Sequence, residues 1–357
     1  MNGGARRLRA RSARRLVARY VAAGAVLVIV GAAGWALGLS VSATVATLCI
    51  GLPAMALIRH FAIREHGRRR GGPSDAMAGG TAEPRPWRIA RPKPQIMTLG
   101  PDEIERIAES LASAHRSGGE SLDAGLHRLA GMDEAEDVQE ATLRILADGH
   151  VGYALCATSP MTARLLGCTE PVIAPLRRGA LLDDGSTFLL PRGIIGVGAG
   201  YCFVLGHPLG EVSEGPAGER EAADACLACH LELHMVGRRV PHGTPLNAST
   251  ATADLGLDVV HVLGPRVRDG RPVDLASTEV RIDLDGHAVT RGRGADTLGA
   301  PIGAVAWTAR WLAGRGRRLE AGEVVTTGSC TGLVRVVPGQ RVRASFEDLG
   351  TVSLDLV

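Results

Sequence analysis

The chain has 357 residues, of which 45% are hydrophobic but only 3% aromatic, with 47 glycines and a formal net charge of +3. That balance suits one large or two modest domains built on Ala, Val and Leu, and excludes a wholly disordered chain. The arginines concentrate in the first 70 residues, so the rest offers no basic face for nucleic acid; the seven cysteines lack a paired framework and suit reduced thiols.

In chain order, residues 1–19 form a basic N-terminus, and Tyr20 to Ile58 contains no charged residue. Such an apolar stretch is roughly twice the length needed to cross a bilayer, so it predicts two spans, at about 20–38 and 42–58. Arg6 to Arg15 precede it and Arg59 to Arg70 follow it, which by the positive-inside rule places both termini in the cytoplasm. The expectation is a two-pass hairpin in the cytoplasmic membrane, with the lipid bilayer as a partner and the soluble domain on the cytoplasmic side. A signal peptide cleaved after Ala43 is the rival reading, weakened by the second apolar span. Residues 59–95 read as an Arg/Gly/Pro-rich linker, and 96–357 as the globular domain.

Within that domain Pro101, Asp102 and Glu103 open a helix, and Ile104, Ile107, Ala108 and Leu111 give it an apolar stripe. A second helix is expected over about 134–147. From Gly149 onward the texture changes to short apolar runs, at 151–157, 194–205, 229–236, 258–263, 279–284, 323–327, 333–337 and 341–346. These predict strands, interrupted by one helix over about 301–314. The layout is α+β.

Several segments then resemble one family in the right order. They are Gly152–Ser159, Gly198–Gly206, Leu233–Arg239, Arg291–Gly294 with Leu298, Gly299 and Pro301, and Ala321–Gly328. Together they resemble the 2-keto-4-pentenoate hydratase and 4-oxalocrotonate decarboxylase branch of the fumarylacetoacetate hydrolase superfamily. The resemblance implies a mostly antiparallel or mixed β-roll with flanking helices, lyase activity on a small keto-enol or 2-keto-acid-like substrate, and a homo-oligomer or a hetero-oligomer with a related subunit. It also implies a magnesium or manganese ion held by three acids, whose positions here are Gly198, Gly200 and His234, while the family's lysine falls at Ala154. Glycine cannot stand in for glutamate toward a hard cation. The expectation drawn from these positions is therefore no cofactor, and either altered chemistry of lyase, isomerase or cyclase type or a non-catalytic binding subunit. Hydration of a 2-hydroxydienoate with rebuilt ligands is a further alternative.

Arg239, Asp254 and Ser159 are the candidate catalytic residues, and Thr158, Arg293, Thr327 and Gly328 the candidate substrate-binding ones. His230, Glu232 and His234 alternate along one strand face and form a weaker candidate metal set, although the outer two would stand about 13 Å apart. Cys226-Leu227-Ala228-Cys229-His230 matches a haem-attachment pattern but reads more simply as a pair of thiols.

Overall fold

The computed structural model describes residues 99–267 and 274–357. Helix α1 (Pro101–Ser117) begins on Asp102 and Glu103 and carries Arg116 in its last turn, charges that oppose its dipole at both ends. Its buried stripe holds Ile104, Ile107, Ala108 and Leu111 and packs on Ala135, Val138 and Ala141 of α2 (Met132–Leu146). Glu134 of α2 ties the entry to α1, because its carboxylate accepts from the backbone N–H groups of Leu99 and Ala130.

The body consists of two sheets. The larger has seven strands in the order β2 (Val172–Arg177), β1 (His150–Cys156), β10 (Val324–Thr326), β5 (Ile194–Leu205), β6 (Cys226–Gly237), β7 (Asp258–Arg266) and β3 (Leu181–Asp183). The smaller has five, in the order β4 (Ser186–Phe188), β12 (Gly350–Leu356), β11 (Arg341–Phe346), β8 (Glu279–Leu284) and β9 (His287–Arg293). Side chains alternate across a strand, so Val197, Ala199, Tyr201 and Phe203 of β5 share one face with Leu231, Leu233 and Met235 of β6. That face meets Ile282, Val342, Phe346 and Leu354 of the smaller sheet in the main core. Helix α6 (Gly303–Ala313) closes the same core with the buried Trp307. The opposite face of β5 and β6 carries polar groups and glycines, and there the candidate site lies.

The predicted helices and most predicted strands are present, with shifts of a few residues at their ends. The run 333–337 forms no strand but a single bridge, Val334 to Val197, because the chain bulges there as it follows β5. Strand β2 escaped the sequence reading since Pro175 argues against a strand. It lies at the sheet edge, where a missing N–H costs nothing.

The expected membrane hairpin requires correction. Its spans, 20–38 and 42–58, lie outside the described residues, and no helix among the described residues is long and apolar enough to cross a membrane. The longest, α1, carries charges over most of its exposed face and is apolar along a single stripe. The fold class is thus α+β with two sheets, stated without a hairpin. The lipid bilayer as partner and the two-pass location in the cytoplasmic membrane are withdrawn with it.

Candidate active site

Register brings the polar face together. Gly198 pairs with His234 and Gly200 with Glu232 across β5 and β6, and His261 of β7 pairs with His234 on its other side. Cys202 lies between His230 and Thr326 in the next row. Paired residues point to the same face, so these side chains converge from strands distant in sequence.

His261 sits at the centre of the cluster. Its Nδ1 makes a short hydrogen bond with Glu232 Oε1, and its Nε2 lies 2.5 Å from Asp258 Oδ1. The second contact is an ion pair between neighbours three residues apart on β7. Both acids and the imidazole are buried. Burial disfavours the charged imidazolium, but the two carboxylates outweigh it and hold the His261 pKa up at about 10. Asp258 stays below the usual carboxylate range: burial would raise it, and the charge of His261 prevails. Glu232, fully buried, is pushed above that range by burial despite the same partner. His234 is held down to about 3, by burial first and by the charge of His261 second, and is therefore neutral. The two imidazole rings are 6.1 Å apart between centroids.

Beyond β10 the chain continues along β5 through Thr327, Cys330 and Val334, whose N–H groups donate to Tyr201, Ala199 and Val197. The bulges between these contacts turn the Gly328 carbonyl over Gly200 and the Ser329 hydroxyl over Gly198. A Cβ on Gly200 would overlap the Gly328 carbonyl oxygen, so glycine is required there by backbone. A Cβ on Gly198 would stand 2.5 Å from Ser329 Oγ and 2.8 Å from His234 Nε2. The volume above both glycines is thus occupied by Ser329, His234 and the bulged backbone.

Ser329 also lines an open cavity of about 970 Å³ together with Ser159, Arg164, Arg291, Asp296 and Arg335. Helix α3 (Pro160–Leu165) borders it, and Ser159 caps that helix by accepting from the Thr162 N–H. Three guanidinium side chains against one carboxylate give the cavity a positive balance; Arg291 also reaches Glu279, 3.5 Å away.

Of the residues singled out from sequence, only Ser159 lines this cavity. Thr158, Thr327 and Gly328 are packed behind it. Thr327 Oγ1 accepts from the Tyr201 N–H, and Thr158 Oγ1 crowds Gly328, which sits at φ +72°. Arg293 is exposed and donates to the Ser277 carbonyl, while Arg291 two residues earlier reaches the cavity. Arg239 and Asp254 form a buried clasp instead. Asp254 accepts from the N–H groups of Arg239 and Val240 and pairs with His115 Nε2 at 3.1 Å, and Arg239 donates to the Arg192 carbonyl. His230, Glu232 and His234 do share a face, but His230 bonds the Gly264 carbonyl and Glu232 turns to His261, so the three do not converge. Burial raises the Cys226 thiol to about 12 and Cys229 further, which leaves no reactive thiolate pair. Asp258, His261 and Ser329 were missed: Asp258 and His261 lie together on β7 but meet Glu232 only through the pairing of β7 with β6, and Ser329 reaches the same face on a bulged segment beyond β10, contacts that no local pattern in the sequence marks.

This two-sheet body with its sheet-face site defines a class. The family model for the fumarylacetoacetate (FAA) hydrolase C-terminal domain matches residues 170–357, and the chain belongs to that family. It is 31% identical over 266 residues to a 2-keto-4-pentenoate hydratase of Paraburkholderia xenovorans (strain LB400), covering 71% of this chain and 95% of the relative. A 4-oxalocrotonate decarboxylase of a Pseudomonas species is 27% identical, covering 70% of this chain and 97% of its own. Among solved structures, 4-oxalocrotonate decarboxylase from Pseudomonas putida G7, complexed with magnesium and adipate, shares the fold with a TM-score of 0.63 at 23% identity, over 73% of this chain and 99% of that one. The same enzyme complexed with calcium and acetate gives 0.62.

These structures correct the expectation of no cofactor, because a divalent cation is bound in relatives of this fold. At the positions of this chain that correspond to the family's acids, however, the side chains do not fit a cation held by three carboxylates. Gly198 and Gly200 supply no oxygen, and the space above them is filled. Among the described residues no three His, Cys, Asp or Glu side chains are grouped to hold a metal ion.

Proposed function

We propose that this chain binds a small anionic keto-enol or 2-keto-acid-like molecule in the cavity beside Ser329, with lyase-type chemistry altered from that of its hydratase and decarboxylase relatives. The observation that carries this reading is the cavity itself: three arginines and two serines border it, and one of those serines, Ser329, lies over Gly198 of the sheet face. Arginine suits carboxylates because its planar fork can bond both oxygens. The alteration follows from Gly198, Gly200 and Ala154, which take away side chains that the family resemblance assigns to metal binding and proton transfer. Bound divalent metal would require ligands other than these positions, and metal analysis of the purified chain belongs to the test.

The experiment is titration of the full-length protein with acetopyruvate, a 2,4-diketo acid whose enol absorbs in the ultraviolet, followed by turnover assays on 2-hydroxypenta-2,4-dienoate with and without added Mg²⁺ or Mn²⁺. Saturable binding that Arg164→Ala or Arg335→Ala weakens by about tenfold supports the reading, since a lost charge-assisted hydrogen bond has that order of effect. No binding at millimolar concentration overturns it. A second reading, a non-catalytic binding subunit, is favoured by the same three small residues, and turnover of either compound by the chain alone excludes it.

A further inference from the structure

Gly196, Gly198 and Gly200 share one face of β5, and the chain that follows β10 lies over all three. A Cβ on Gly200 would meet Gly328, one on Gly198 would meet Ser329, and one on Gly196 would stand 3.1 Å from the Leu333 Cβ. The wall therefore changes from hydroxyl to aliphatic between Gly198 and Gly196, about 7 Å along the strand. Ser329 and Leu333 both line the cavity beside α3, together with Ile195 and Met161. Met161 lies against the same segment, its Cε 3.3 Å from the place a Cβ on Gly332 would take. Leu333 and Ile195 are half-buried, and Met161, on the first turn of α3, is 63% exposed. Each keeps apolar surface that the described chain leaves uncovered.

The polar end is equally defined. Arg291 lines the cavity from β9, and its neighbour Gly292 packs on the carbonyl of Cys330, the residue after Ser329. Charge thus stands at the Ser329 end and aliphatic surface at the Leu333 end. The volume agrees with a ligand that reaches both. About 970 Å³ lies near the top of the roughly 300–1,000 Å³ that suits drug-sized molecules, several times what a five-carbon keto acid fills. We infer that the cavity selects a 2,4-dioxo-acid-like anion carrying a large apolar substituent. The acidic head sits beside Ser329 and Arg291, and the substituent lies against Leu333, Ile195 and Met161. The inference rests on the reading of the cavity as a keto-enol site and adds its specificity. The three apolar side chains touch the substituent and no reacting atom. Each methylene they bury raises affinity by up to about fourfold, a gain that a short keto acid cannot draw on.

The test measures binding of the full-length protein to a series from acetopyruvate to 2,4-dioxononanoate, which keeps the head and lengthens the tail one methylene at a time. Affinity is expected to rise by about tenfold or more across the series. Met161→Ser and Leu333→Ala are each expected to shrink that rise about threefold, read as the ratio of the two end members' affinities. Met161 is largely exposed, so its replacement spares the fold should the Leu333 variant not fold. The diacid 2,4-dioxononanedioate, charged at the far end, is expected to bind more weakly than 2,4-dioxononanoate. If acetopyruvate binds and the longer acids bind no tighter, if Met161→Ser and every folded Leu333 variant leave the rise intact, or if the diacid binds best, the inference is overturned and the keto-enol reading stands. If no member of the series binds, both fail.

Discussion

His261 holds a proton between two carboxylates, and His234, its neighbour across the strand, refuses one; the two give stability opposite pH dependences. Against an unfolded-state value near 6.5, the raised pKa of His261 means the folded state binds the extra proton between about 6.5 and 10. Its contribution is complete below 6.5 and is lost as pH rises through about 10. For His234 the folded pKa is depressed to about 3, so the unfolded state binds the proton between about 3 and 6.5, and stability is lost as pH falls through that window. Chemical denaturation across pH 4–9 should show a maximum near pH 6.5, each limb changing the unfolding constant by about tenfold per pH unit from the one group. His261→Gln should flatten the alkaline limb and His234→Gln the acid limb; a profile unchanged by both would refute the assignment. At Gly200 the constraint is steric. Gly200→Ala forces the Gly328 carbonyl aside and should destabilise by about 1–3 kcal/mol in urea titration.

Among the elements, α1 is held to the body by a side chain that sequence reading had placed in catalysis. Asp254 follows α5 (Ala248–Ala253) and gathers two backbone N–H groups after β6 and the ring of His115 on α1. Removing it leaves two buried donors unpaired. Asp254→Ala should therefore cost about 3 kcal/mol or more in stability while leaving the acetopyruvate affinity of the folded protein unchanged. A loss of affinity without a loss of stability would return Asp254 to the binding site. The Arg239 guanidinium has the same character, since its Nη1 donates to main-chain carbonyls, away from the cavity lining. These two residues were legible as important and illegible as to role, because a buried polar residue that holds a turn and one that holds a substrate are the same residue types in a sequence.

Across the whole molecule, one core between the two sheets supports the site from behind. Trp307 fills it from α6 and is 2% exposed, so Trp307→Ala should lower stability by about 3–5 kcal/mol in a denaturant or thermal melt. The cavity arginines act at the same scale by their joint charge: acetopyruvate binding should weaken between 50 and 500 mM salt, and a salt-independent affinity would argue against them. The Paraburkholderia hydratase and the Pseudomonas decarboxylase are matched over 95% and 97% of their length by 71% and 70% of this chain, so this body is the family's own unit. By itself the sequence determined that unit. The periodicity of Ile104 to Leu111, the alternation along β5 and β6 and the spacing of the glycine segments are local signals, and local signals survive in one dimension. It also determined the loss of side chains at 198, 200 and 154. Only the tertiary structure decided what took their place, because Asp258, His261 and Glu232 meet across β6 and β7, and Ser329 arrives over Gly198 on a bulge beyond β10. Strand register, which brings distant residues to the same face, supplies those contacts and leaves no mark in the order of the amino acids.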